Sequence, residues 1–333
     1  MATGGGVHMQ EDVAAWFSER TLDGQRTDRS SLVAAKADTS ISVVLPARNE
    51  EETVGDIVEA LRSELVEATP LIDEIVVVDS GSNDNTARVA AQAGARVVRQ
   101  CDVLPRLGDR PGKGEALWKS LYETRGDIVA FIDADLREFD PQLAVGLLGP
   151  LLTDSRVQYV KAFYDRPLHS GEKVLPAGGG RVTELVARPL LNIHWPSLAG
   201  FVQPLAGEYA GRRSLLDRLP FVSGYGVEIA MLIDAVEAVG LEALAQVDLG
   251  SRQHRNSSDA ALSRMAAQVY LALLSRLERH GRAMVTVEPE MLMTQFARDA
   301  ATFVPVVTNV GVSERPPMRE VREYLAHAIA SSP

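Results

Sequence analysis

Short apolar runs alternate with stretches of helical periodicity from residue 41 to residue 132. The run 41–47 is β-branched and is closed by Pro46, which cannot donate to a strand ladder. Residues 50–66 carry Ile57, Leu61 and Leu65 at helical spacing. A second buried strand is expected at 73–79, an alanine-rich helix at 87–93, and a third strand at 95–99. A loop over 102–112 leads to a helix at 113–124 and then to the apolar run Ile128-Val-Ala-Phe-Ile132. This β-α-β-α-β-α-β rhythm predicts an α/β fold, a parallel sheet with right-handed crossovers.

The flanking regions are less regular. Residues 1–9 are glycine-rich, 11–20 read as an amphipathic helix carrying Trp16 and Phe17, and 21–40 read as loop. Beyond the sheet, a strand is expected at 157–163, a helix at 181–193, a strongly periodic helix at 227–239 and a strand at 244–249. Helices at 258–279 and 317–330 form a helical C-terminal appendage. The resulting division is 1–40, 41–160, 161–257 and 258–333, with the last part expected to supply dimer contacts.

Composition narrows the classes. At 333 residues, 46% hydrophobic and 24% charged, the chain has the make-up of a globular protein. A net charge of −11 without a strong basic run argues against a nucleic-acid partner. Cys101 is the only cysteine, so no intrachain disulfide can form. No apolar stretch approaches membrane-spanning length and no signal-peptide core begins the chain, so no membrane insertion and a cytoplasmic location are expected.

The chemistry gathers where the strands end. After Ile132 come Asp133 and Asp135, two apart and therefore on one face of an extended segment. In open α/β sheets, ligands bind beyond the carboxyl ends of the strands. Two carboxylates there need a compensating cation, which a metal-bound nucleotide diphosphate supplies, unless they merely form an acidic turn. Pro46-Ala-Arg-Asn-Glu-Glu51 follows the first strand and lacks the glycine pattern of a dinucleotide site. Its polar groups suit a uracil and ribose, while Asn49 with Glu52 equally suits a helix cap. Asp79-Ser-Gly-Ser-Asn-Asp-Asn-Thr86 suits a nucleoside pocket, with Ser82 or Asn83 as alternative caps. Gly108-Asp-Arg-Pro-Gly-Lys-Gly114 fails as a P-loop in spacing and in its last residue. Lys113 can still meet a diphosphate at a helix N-terminus, or remain solvated.

Taken in order, these segments and Gly112-Lys-Gly-Glu-Ala-Leu117 resemble a GT-A (Rossmann-like) nucleotide-sugar glycosyltransferase with its Asp-x-Asp motif. Gly178-Gly-Gly-Arg-Val-Thr-Glu-Leu185, Gln203-Pro-Leu-Ala-Gly-Glu-Tyr209, Gly224-Tyr-Gly-Val-Glu-Ile229 and Arg252-Gln-His-Arg-Asn256 sharpen the match. Together they resemble the glucosyl-3-phosphoglycerate synthases of actinobacteria, retaining enzymes related to the mannosyl-3-phosphoglycerate synthases. The resemblance spans residues 40–260. Ser80 departs from the commoner pattern, which has a second aspartate there.

The resemblance implies a retaining transfer of glucose from UDP-glucose to the 2-hydroxyl of 3-phosphoglycerate. It assigns Pro46, Ala47, Asn49, Glu50 and Ser80 to the uridine, and Lys113 to the diphosphate or sugar. Asp133, Ala134 and Asp135 would meet ribose, sugar and Mg²⁺, with Mn²⁺ or Co²⁺ as alternatives. Asp135 and His254 would ligate the metal; an exposed loop histidine is the other reading of His254. Gly180, Arg181, Val182 and Thr183 would form the acceptor's anion site, completed by Asn256 and Arg255, although Arg181 also reads as a surface residue. Tyr225 and Glu228 would line the sugar pocket, and the Leu205 carbonyl would orient the acceptor hydroxyl in a same-face displacement. Glu228 otherwise serves helix-terminus electrostatics. A homodimer is expected. The rivals are a GDP-mannose-dependent enzyme, a sugar-1-phosphate nucleotidyltransferase and a non-catalytic nucleotide-sugar-binding protein.

Overall fold

The structure, a computed structural model, describes residues 9–165, 168–170, 173–175, 180–251, 258–299 and 302–330. Its centre is an eight-stranded sheet built from β1 (Thr21–Asp23), β2 (Ile41–Ala47), β3 (Glu74–Asp79), β4 (Arg96–Arg99), β5 (Ile128–Phe131), β6 (Tyr159–Asp165), β9 (Tyr209–Arg212) and β11 (Leu244–Ser251). The order is β1-β11-β6-β9-β5-β2-β3-β4. All neighbours run parallel except β9, which lies antiparallel between β5 and β6. The sheet thus draws on the N-terminal segment and on both halves of the chain.

The expected rhythm from 41 to 132 is present, with α3 (Val54–Leu61), α4 (Thr86–Ala93) and α5 (Lys113–Glu123) as crossovers. Alternate strand residues serve opposite faces, as the pleat requires. Val44, Val76, Val78, Val129 and Phe131 face one core with α5 and α9 (Val227–Val239). Val43, Leu45, Ile75, Val77 and Ala130 face the other with α3 and α6 (Gln142–Thr153).

Several elements depart from the sequence expectation. Residues 21–40 are not simply loop: they hold β1 and α2 (Arg29–Lys36), capped by the Asp28 carboxylate, which accepts from Ser31 N at 2.9 Å. One buried residue, Leu32, holds α2 down, too sparse a pattern to show periodicity. The helix expected at 50–66 starts at Val54, and its last part, Arg62–Ala68, widens into a π-turn. Neither Asn49 nor Glu52 caps it; its N-cap is Thr53.

The C-terminal region contains the two expected helices, α10 (Asp259–Arg279) and α11 (Arg322–Ala330). Ser258 caps α10 through Ala261 N, and Val269, Leu273 and Leu277 join the core beside α9. Arg276 fixes the pair by binding Asp234 of α9 at 2.6 Å. The region also contains an antiparallel hairpin of β12 (Leu292–Asp299) and β13 (Thr302–Asn309). Pro305 argues against a strand in a wide sheet, but in a two-stranded ribbon both strands are edges and tolerate it. The remaining small elements are the ribbon β7 (Leu168–Ser170) with β8 (Lys173–Leu175), α1 (Glu11–Arg20), α7 (Arg188–His194) and α8 (Arg213–Leu216). Among the described residues no helix is long and apolar enough to cross a membrane.

A short strand after the hairpin supports the start of α5. β14 (Glu314–Arg315) pairs with β10 (Phe221–Val222), and Arg315 binds the fully buried Glu115 carboxylate at 2.6 and 2.7 Å. Arg315→Ala would leave that carboxylate with Lys119 alone, 3.3 Å away. Removing one partner of a buried ion pair costs about 3–5 kcal/mol. We expect a loss at the lower end of this range in urea unfolding, because Lys119 remains.

Candidate active site

Strands β2, β3 and β5 run parallel, so Ala47, Asp79 and Asp133 emerge at the same edge. Two of the loops there are bonded into one wall. Asn49, held at φ 59°, accepts Asn83 N on its side-chain oxygen at 2.8 Å and donates its own N–H to Ser82 Oγ at 2.9 Å. Glu50 N donates to Thr86 Oγ1 at 2.7 Å, and Ser80 N to Ala47 O at 2.9 Å. The side chains of Ser82 and Asn83 therefore do not cap α4; its N-cap is Asn85, and Ser82 instead receives Asn49. Ser80 Oγ donates to Gln100 at 2.8 Å, so its hydroxyl braces the wall from behind. Pro46, Ala47, Asn49, Glu50 and Ser80 thus share one loop pair, in the setting expected for a nucleoside.

The Asp-x-Asp segment is tied to this wall through its middle residue. Thr53 Oγ1 donates to the Ala134 carbonyl at 2.6 Å, turning the two flanking aspartates to different surroundings. Asp135 is exposed at the mouth, whereas Asp133 is ion-paired to Lys113. Lys113 Nζ also lies 3.1 Å from the Glu228 carboxylate, so α5, β5 and α9 meet at one ammonium. Burial opposes the charge on Lys113, but Asp133 and Glu228 outweigh it and raise its pKa well above the ordinary lysine value. Lys113 is therefore a permanent cation, not a solvated surface residue. Glu228 is buried against it, which goes beyond helix-terminus electrostatics.

Glycine makes the close approach possible. A Cβ on Gly114 would sit 1.8 Å from the Val222 carbonyl, and one on Gly112 would sit 2.6 Å from Gly224 N. Gly207 was not anticipated. A Cβ there would lie 2.1 Å from Asp133 Oδ2 and 2.6 Å from Lys113 Nζ, so the turn containing Leu205 packs directly on the ion pair. The sequence string holding Leu205 contained Gly207, but nothing local marked its distant neighbours. Tyr225 is exposed in the short turn that leads into α9, with its N–H bonded to Gln268 at 3.0 Å.

Gly180, at φ 80°, opens the helical stretch through Arg181, and Val182 and Thr183 are buried in its first turn. An anion here would therefore meet backbone N–H groups rather than the Val182 side chain. Arg181 is partly exposed and bonds Asp259 at 2.6 Å. His254, Arg255 and Asn256 lie outside the described residues, so the pairing of His254 with Asp135 does too.

Residues 42–201 match Glycosyl transferase family 2, and the chain is a glycosyltransferase of that fold. Glucosyl-3-phosphoglycerate synthase of Mycolicibacterium smegmatis is 47% identical over 307 residues, covering 92% of this chain and 98% of that one. The crystal structure of glucosyl-3-phosphoglycerate synthase from Mycobacterium tuberculosis with Mn²⁺, UDP and phosphoglyceric acid matches with TM-score 0.78 and 45% identity, covering 89% and 95%. Mannosyl-3-phosphoglycerate synthase from Rubrobacter xylanophilus matches with TM-score 0.85 and 42% identity, covering 95% and 100%. The chain belongs to the glucosyl-3-phosphoglycerate synthase family.

Gly207→Ala tests the contact at the ion pair. The added methyl must displace Asp133 or Lys113, and misplacement by about 1 Å costs on the order of 100-fold in rate. We expect that loss in transferase activity with a melting temperature close to wild type.

Proposed function

We propose that the chain transfers glucose, with retention, from UDP-glucose to the 2-hydroxyl of 3-phosphoglycerate. The observation that carries this reading is the Lys113 ammonium held between Asp133 and Glu228 at the foot of the loop pair. A fixed cation at that point answers the charge that develops on a departing diphosphate. The mycobacterial relatives named glucosyl-3-phosphoglycerate synthase support the substrates.

The residues divide the work. The 46–50 and 80–86 loops hold the uridine and ribose. Glu228, with one oxygen near Lys113, would turn the other to a sugar hydroxyl. Its engagement with Lys113 argues against a covalent glucosyl-enzyme at this carboxylate. Gly180, Arg181 and Thr183, with Asn256 and Arg255, hold the acceptor phosphate and carboxylate through helix N–H groups and a guanidinium. Arg181 must exchange its bond to Asp259 to do so, and that surface ion pair is weak because water screens it. The Leu205 carbonyl, in the turn against Asp133, orients the acceptor hydroxyl from the face that the diphosphate leaves.

The exposed Asp135 carboxylate is an oxygen donor of the kind a hard divalent cation such as Mg²⁺ or Mn²⁺ takes. Asp135 projects to the mouth, while Lys113 occupies Asp133 and leaves it to the sugar or ribose. His254 would complete the protein's share of the ligands. When bound, the ion would neutralise the diphosphate and make it a better leaving group.

The likeness to the Rubrobacter protein keeps GDP-mannose as the competing donor. Purified protein supplied with 3-phosphoglycerate and each donor should show kcat/KM at least ~10-fold higher with UDP-glucose. Turnover confined to GDP-mannose would reject the assignment. In the same assay Arg181→Ala should raise the KM for 3-phosphoglycerate about tenfold, the loss of one charge-assisted bond, and leave the donor KM unchanged.

A further inference from the structure

A second lysine lies beneath the same pocket, and neither the uridine loops nor the acceptor helix accounts for it. Lys161 sits in the middle of β6, fully buried, on the face that carries Tyr159. Its cross-strand partner is Tyr209 of β9, and its Nζ lies 4.8 Å from the centre of that ring. Among the described residues its hydrogen bond goes to the Ala206 carbonyl, at 2.9 Å.

A methionine would fill this place without the cost of desolvating an ammonium. That cost is visible: burial pulls the Lys161 pKa down to about 7, with Lys113 adding to the fall while Glu228, Glu208 and Asp133 oppose it. Between pH 7 and the ordinary lysine range, the unfolded chain holds a proton here that the folded chain does not. Folding is therefore penalised by this residue at neutral and lower pH, and the penalty fades as pH rises through that window. Stability gives no reason to keep a lysine at this position.

Position supplies the reason. The turn after Gln203 is stitched to β6 at three residues: Gln203 donates to the Tyr164 carbonyl, Ala206 O accepts from Lys161, and Glu208 accepts from Ala162 N on its carbonyl and from Tyr164 Oη on its carboxylate, both at 3.0 Å. The middle stitch falls between Leu205 and Gly207. Gly207 touches Asp133 and Lys113, and Leu205 presents the carbonyl assigned to the acceptor. We infer that Lys161 is a positioning residue for sugar transfer, its Nζ pinning the Ala206 carbonyl so that the Leu205–Gly207 turn keeps its place against the Lys113–Asp133 pair. It acts through the turn and does not touch substrate.

The inference rests on the transfer reaction proposed above, and the two can fail separately. Wild-type turnover, with whichever donor is used, decides that reaction; the ratio of variant to wild type decides this role. In Lys161→Met we expect kcat to fall by ~30-fold. The melting temperature at pH 7 should hold or rise, because the buried charge is gone. Calorimetric titration with UDP and Mn²⁺ should give an affinity within about threefold of wild type, since the uridine loops are untouched. A kcat within about threefold of wild type would overturn the role, and so would a fall in melting temperature and UDP affinity that matches the loss of rate.

Discussion

One ammonium group between two carboxylates organises the centre of this molecule. Asp133 arrives from β5, Glu228 from the first turn of α9 and Lys113 from the first turn of α5. The carboxylates would repel each other without the lysine, and the lysine would resist burial without them. The ion pairs therefore do more than stabilise: they fix the separation of three elements whose N- or C-terminal ends must converge. Gly207 follows from that constraint because its backbone lies against the charged groups, and Gly112 and Gly114 because the start of α5 packs on the backbone at 222–224 that leads into α9.

The same arrangement explains how two aspartates in one short motif come to differ. Thr53 holds the intervening Ala134 carbonyl, so Asp133 turns inward to a cation of the protein and Asp135 stays at the mouth. An inward aspartate already neutralised is suited to hydrogen-bonding a sugar. An outward, exposed one is placed where an ion arriving with the substrate can reach it. Beneath them, Lys161 adds a second amine that the fold does not need for packing.

Much of this could be read from the chain. The β-α rhythm from 41 to 132 was legible because parallel strands, covered on both faces, are continuous apolar runs. The residues at their ends were legible because strand ends are where polar side chains interrupt such runs. Lys113, Asp133 and Glu228 were each identifiable, but their mutual contact was not, since it joins positions far apart in sequence. Gly207 and Lys161 escaped for related reasons. A glycine in a loop has many uses, and the sense of a buried lysine depends on a carbonyl brought to it by another strand. The hairpin at 292–309 was hidden by Pro305, whose usual meaning in a strand holds only where both edges are paired. The alternatives of Asn49, Ser82 and Asn83 as helix caps gave way because each found a partner across the loop pair instead.

The pairing of Arg315 with Glu115 brings a residue 200 positions further along the chain against the helix that begins with Lys113. On the ribosome, α5 and the strands around it emerge long before β14 does. Until Arg315 is released, Glu115 is a carboxylate without its guanidinium partner and β10 lacks the strand it pairs with. The strands from β2 to β5 can thus collapse early, but the helix presenting the central lysine is secured only after a further 200 residues separate Glu115 from the arginine that binds it. A chain cut short before β14 would retain every residue assigned to the chemistry and still lack the brace that holds the pivotal one in place.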